Sequence, residues 1–347
     1  MPKAKPQTII ISPSTIFRII FVILLLMFLY LILDVIVIFI FALIIASAIA
    51  PLVNLLGKLK IPRVIGALLI YIIVIGGLGF LISLTIPSVA KEIKDLSSNL
   101  PNYIEFLSDK FESIQKASSK YQDIIIQFQK FLAGAGDFLR KSASDLFSTA
   151  VNIFGGIFSF FLVLVISFYL SVQKKGVQRV LTSLAPREHR DYLLSLWERS
   201  QRKLGRWLQG QLFLGVIIGV LVYVGLSLLN VKFALLLAVL AGVLEIFPYI
   251  GPVIAAIPAI ILGFLQAPIL GLWVLILYIV IQQMENHLIV PLVIGKIVKL
   301  NPVVVILALL IGIKLGGIPG MILAVPITAV LAEFFRDLIK RRKILKE

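Results

Sequence analysis

The densest chemistry in the chain lies in one run, Leu244-Glu245-Ile246-Phe247-Pro248-Tyr249-Ile250-Gly251-Pro252, with Pro258 shortly after it. Two prolines and a glycine within five residues cannot continue a regular helix. Backbone freed in this way is tolerated at membrane depth only where protein buries it or water reaches it. Transporters use such breaks to hold ions or polar groups on half-helix ends and bare carbonyls. A tight interfacial turn between two ordinary spans would account for the same residues. Glu245 sits just before the break. If its helix starts near residue 233, the carboxyl lies about 18 Å in, at a rise of about 1.5 Å per residue. A carboxylate at that depth is costly and marks function by default, suiting reversible binding of a proton or cation. The competing reading has Glu245 reach the interface or cap the next half-helix.

A second constellation is Gln282-Gln283-Met284-Glu285-Asn286-His287. Gln282, Glu285 and Asn286 fall on one helix face, and Gln283 and His287 on the adjacent one. Counted from residue 269, Glu285 lies about 24 Å along its helix. The two carboxyl groups therefore come out at similar depths on neighbouring spans. Together with Pro248, Tyr249, Gly251 and Pro252 they are placed to line one polar path, with His287 as a titrating neighbour. A hydrated helix end is the alternative. Pro258, Pro291, Gly312, Gly316, Gly317, Gly320 and Pro326 read as hinges or close-packing points, since small residues let helices approach in lipid. No metal-ligand spacing occurs, so neither a metal nor a cofactor is expected. The chain carries no phosphate loop and no Ser-His-Asp or zinc-protease signature, so it reads as a non-enzyme.

These residues need a particular solvent around their helices. The 347-residue chain is 60% apolar and 14% charged and has no cysteine, and its mean hydropathy is +1.08. A soluble domain is about 45–50% apolar and about 25% charged, so the solvent here is lipid. Apolar runs predict spans at 16–33, 35–53, 64–86 (ended by Pro87), 151–172 and 208–229. Shorter helices follow at 233–247 and 252–265, then 269–290, then a hairpin of 302–313 and 317–335. The short pair and the final hairpin are each open to full crossing or re-entrance. The expected architecture is an all-α integral membrane protein of about eight transmembrane helices with broken or re-entrant hairpins. Three units follow: membrane helices over 1–87, an extramembrane amphipathic insert over 88–150, and a membrane domain over 151–347. Within the insert, Tyr103, Phe106 and Leu107, then Ile124, Ile125, Phe128, Phe131 and Leu132, recur at helical spacing.

The net charge of +16 is not a nucleic-acid signal. Residues 88–148 hold eight basic and eight acidic side chains, whereas 173–206 holds nine basic against three acidic. Lys58, Lys60 and Arg63, Lys296 and Lys299, and the tail from Arg336 to Lys346 add to the same side when the N-terminus is placed inside. The expectation is a multi-pass protein of the cytoplasmic membrane with both termini cytoplasmic and 88–150 outside. Its basic loops would attract anionic lipid. Between Trp207 and Gly295 only Lys232, Glu245 and Glu285 are charged.

The run Glu245…Pro248-Tyr249-Ile250-Gly251-Pro252 resembles the signature of the autoinducer-2 exporter (AI-2E) family. So do Gln282-Gln283…Glu285-Asn286, Pro291, Gly295-Lys296, Pro302, Gly312, Gly320 and Pro326. The order of three spans, a helical insert and a signature-bearing C-terminal half is similar too. The sequence departs from the pattern at Lys314, where a small or neutral residue is usual, and at Asn301, where His is frequent. The resemblance implies a multispan transporter that is oligomeric among its relatives. It also implies export of autoinducer-2 or exchange of sodium or lithium for protons. The reading that follows is a secondary transporter exporting a small polar solute with proton or cation coupling, its partners being lipids, that solute, H+ or Na+, and further copies of itself. A Na+(Li+)/H+ antiporter and a non-transporting membrane scaffold are the alternatives.

Overall fold

The computed structural model describes residues 13–117, 156–173, 176–293 and 301–344, and among them every regular element is helical. The second half of the predicted insert, with Ile124 to Leu132, lies outside the described residues, as do Lys174, Gly295, Lys296 and Lys299. In chain order the helices are α1 (Pro13–Leu31), α2 (Leu33–Lys58), α3 (Arg63–Ala117), α4 (Ile157–Val172) and α5 (Gly176–Leu184). They continue with α6 (Arg190–Leu228), α7 (Ala234–Leu244), α8 (Ile250–Gln266), α9 (Pro268–Met284), α10 (Val290–Val293) and α11 (Pro302–Ile344). A π-helical turn, Glu285–Ile289, joins α9 to α10.

Five helical stretches among the described residues are long and apolar enough to cross a membrane, and α4 with α5, bent by 80°, makes a sixth candidate. The chain is a multi-pass α-helical membrane protein. The sequence suggested about eight crossings. The shorter apolar helices within α1, α7 and α8 fall below that length, α7 having only 11 residues, and the two arms of the last hairpin count as one stretch. An 11-residue helix covers about 16 Å, roughly half a hydrocarbon core of about 30 Å.

Two boundaries differ from the sequence reading. The third span does not end at Pro87, because α3 runs on through that residue to Ala117. Proline removes one backbone donor, and a long helix with enough other bonds absorbs the loss. Residues 173–206, predicted as a connecting loop, are largely helical: α5, a 3-10 turn at Arg187–His189, and the first turns of α6. The basic side chains thus ride on helices that emerge from the apolar layer.

The last apolar hairpin folds at Gly316–Gly317, where the backbone leaves helical geometry, with Gly317 at φ 59°, ψ −145°. Only glycine enters that region without strain. The two arms then pack back to back. A Cβ on Gly312 would strike the Gly320 carbonyl, and one on Gly320 the Gly312 carbonyl. Asn301 opens α11, its Oδ1 accepting the Val303 N–H at 3.0 Å, with Pro302 in the first turn. This is a side-chain cap followed by a residue preset for helix entry.

Two buried apolar clusters organise the rest. One gathers Leu214, Ile218, Val222 and Leu226 of α6 with α7, α8 and α9, and the other joins α2, α4, α6 and α11 around Trp207, Phe247 and Leu323. Leu244, the last residue of α7, packs against both. The helix break that follows it therefore sits where the two clusters meet. The opposite end of α7 is held by α3, where Glu92 Oε2 accepts the Leu236 N–H at 2.7 Å. That bond satisfies one of the amides orphaned in a first helical turn.

Candidate functional site

Residues 245–249 connect α7 to α8 without helical structure. Tyr249 takes φ 67°, ψ −42°, a left-handed conformation rare for a bulky residue and tolerated where the surroundings fix it. The chain turns so closely here that a Cβ on Gly251 would collide with the Leu244 carbonyl. Any residue but glycine at 251 would push the two helices apart. Pro252 lies in the first turn of α8 and Pro258 is buried inside it.

This turn delivers Glu245 into the protein interior, 1% exposed. Glu285, 5% exposed, arrives from the π turn. The extra residue of a π turn rotates the following side chains, and such turns concentrate at functional sites. The two side chains line the same interior cavity. Glu285 Oε2 also accepts the Gln282 side-chain N–H at 3.2 Å, whereas Glu245 Oε2 has no hydrogen-bond partner among the described residues.

Both glutamates line a cavity of about 110 Å³ with Trp207, Gln211, Leu214, Pro248, Tyr249, Asn286, Val290, Val305 and Val325. By volume it has room for several waters. None of these lining residues is basic. Burying two carboxyl groups on one wall is costly when both are ionised, because neither charge has a neighbouring base to offset it. Among the described residues no cluster of three or more His, Cys, Asp or Glu side chains is assembled, so the acidic group is a pair.

Pro248, Tyr249 and Asn286 join the two glutamates on the cavity wall. Gln282 reaches the site through its bond to Glu285. Gln283 and His287 are exposed, and His287 Nδ1 lies 3.0 Å from the Gln283 carbonyl oxygen of its own helix. Neither belongs to the cavity wall. Pro291 is exposed in α10, while Pro326 is fully buried in the second arm of α11. Gly312, Gly316, Gly317 and Gly320 form the fold of that hairpin and do not line the cavity, although their element supplies Val305 and Val325 to it.

The sequence reading missed Gln211. It is 2% exposed, its Nε2 donates to the Glu245 carbonyl oxygen freed by the helix break, and its Oε1 is buried without a partner. A glutamine inside an apolar span was the available signal. Its 34-residue distance from Glu245 hid the contact. It reaches the site because α6 and α7 cross at Gly215 and Gly242, where an added Cβ on either would come within 3 Å of the other's carbonyl oxygen.

Comparison with known proteins agrees with this architecture. The family described as AI-2E family transporter matches residues 19–340. YueF of Bacillus subtilis strain 168 is 31% identical over 301 residues, covering 85% of this chain and 81% of its own. YrrI of the same organism is 27% identical over 313 residues, covering 87% and 86% respectively. YhhT of Escherichia coli K12 is 34% identical over 137 residues, or 38% of each chain. All three are named as candidate transport proteins. With helical membrane architecture among the described residues and the family pattern covering 19–340, the chain belongs to the AI-2E family of transporters.

Proposed function

We propose that this protein is a secondary transporter that exports a small polar solute of the autoinducer-2 type across the cytoplasmic membrane, with the Glu245–Glu285 pair carrying the coupling proton or cation. The observation that carries the reading is the pair itself: two buried carboxyl groups, one from a helix break and one from a π turn, on the wall of one cavity without a basic side chain. A charge site with no resident counter-charge must exchange one with solution. The Gly251 and Gly317 turns supply hinges for alternate opening of the cavity.

Proteoliposomes holding the wild type and Glu245→Gln, imposed with a pH gradient, test this directly. Solute flux driven by the gradient should fall to the level of empty liposomes in the variant. Undiminished flux in a folded variant removes Glu245 from the coupling role.

The carboxyl oxygens on the cavity wall favour a second reading, a Na+(Li+)/H+ antiporter, because oxygen ligands suit a hard cation as well as a proton. Dequenching of a pH dye on adding sodium, with no organic solute present, separates the two. Protonation and cation binding compete for the same oxygens, so under this reading sodium affinity weakens as pH falls.

A further inference from the structure

A second cavity, of about 190 Å³, opens where α2, the first turn of α3, the end of α4, α5 and α6 meet. It is distinct from the carboxyl site, sharing no lining residue with it. Its wall carries Asn54, Arg63, Gln173, Gln178, Trp197 and Gln201. Arg63 is the one charged side chain among the lining residues. Its guanidinium is half-buried and is held in place from two sides. Nε donates to the Ser171 carbonyl oxygen at 2.8 Å, and Nη1 donates to Asn54 Oδ1 at 2.9 Å. Both acceptors are neutral, and among the described residues Arg63 has no carboxylate partner.

A guanidinium offers five N–H donors, and these bonds use two. The remaining donors sit on a fixed, partly desolvated cation, in a cavity whose other polar groups are side-chain amides. Gln201 has no hydrogen-bond partner among the described residues, so its amide is available to a ligand. Gln178 is engaged with Glu198, at 3.4 Å, and Glu198, which does not line the cavity, is itself 4.0 Å from Arg202. Val177 and Gln178 belong to the first turn of α5, the helix end whose dipole favours negative charge, which adds to the field of Arg63. A rigid guanidinium fork with amides beside it matches the oxygens of a phosphate group.

We infer that this cavity is an anion site that takes a phosphate group on Arg63 and Gln201. Phosphate here comes either from the headgroup of an anionic phospholipid or from a free phosphate in solution, and the chemistry of recognition is the same. The site is independent of the transport reading, because no residue is shared with the carboxyl cavity.

Full-length protein in detergent tests it with two probes and two variants. One probe is inorganic phosphate, titrated while thermal stability and heat of binding are recorded. The other is phosphatidylglycerol against phosphatidylcholine, scored as adducts retained in native mass spectrometry. Arg63→Gln removes the cation. Gln201→Glu keeps Arg63 and both its hydrogen bonds while placing a negative charge in the cavity, and it decides the question if Arg63→Gln fails to fold. Wild-type protein should retain phosphate, or retain phosphatidylglycerol over phosphatidylcholine, with binding weakened about tenfold in Gln201→Glu. Phosphate binding identifies a soluble anion, and phosphatidylglycerol retention alone identifies a headgroup. Absence of both in the wild type, or binding unchanged in Gln201→Glu, overturns the site.

Discussion

Two pairs of acidic side chains sit beside α6 in opposite situations. Glu333 and Asp337, near the end of α11, meet Arg199 and Lys203 from the early turns of α6. Arg199 Nη1 lies 3.1 Å from Glu333 and 3.2 Å from Asp337, and Lys203 Nζ bonds the second oxygen of Glu333. At the buried pair, Gln282 of α9 donates to the Glu285 carboxyl, and Gln211 of α6 donates to the Glu245 backbone carbonyl, leaving Glu245 Oε2 without a partner among the described residues. Eight residues, about 12 Å of helix, separate Lys203 from Gln211. One stretch of α6 thus supplies bases to one acidic pair and, beside the other, an amide that bonds only the backbone. Where the protein provides its own counter-charge, the acids hold helices together. Where it withholds one, the acids form the pair to which we assign ion exchange.

The strongest way to break that contrast is to give the buried pair a base of its own. Gln211→Lys places an ammonium beside Glu245 and should convert the exchange site into an internal ion pair. Ion-driven flux in proteoliposomes is expected to drop to background while the protein stays folded, with thermal stability no longer responding to added sodium. Persistent flux would show that the missing base is incidental. The converse change removes the bases from the other pair. Arg199→Gln with Lys203→Gln should lower unfolding stability by about 1 kcal/mol, a figure kept small because these side chains are part-exposed. Transport should survive, and the stability gap between wild type and variant should narrow in high salt as the pairing is screened. Loss of flux with full stability would mean that this cluster gates the path as well as fastening α6 to α11.

The sequence made one side of this comparison much easier to see than the other. Glu245 and Glu285 stood out because an apolar stretch of 89 residues holds three charges, and lipid makes each of them expensive. Composition and span lengths exposed the helical membrane fold for the same reason. Gln211 stayed hidden because what matters about it is a contact made by a helix crossing, and crossings depend on small residues whose partners no local pattern names. The α6–α11 ion cluster was counted as part of a basic loop, since neighbouring charges in sequence do not reveal that acids from residues 333 and 337 return to meet them. The π turn was equally invisible. Helical spacing put Gln283 and His287 beside the polar face, whereas the wider turn at Glu285–Ile289 brings Glu285 inward and leaves His287 exposed.

That last difference yields the smallest expected effect and a sharp test of which group carries charge. Histidine is the side chain whose ordinary titration falls near neutral pH, so its position beside Glu285 in sequence made it the natural relay. In the fold it is exposed and turned onto the Gln283 carbonyl of its own helix, off the cavity wall. An exposed side chain with a single local bond contributes little, so His287→Ala should change flux by no more than about twofold. Its pH profile should keep its shape, because a profile set by the carboxyl pair does not depend on an imidazole outside the cavity. A profile that flattens near neutral pH in His287→Ala would move the proton-carrying role to the outer face of the π turn. The missing base in the cavity would then be a matter of packing, and the contrast between the two acidic pairs would lose its functional meaning.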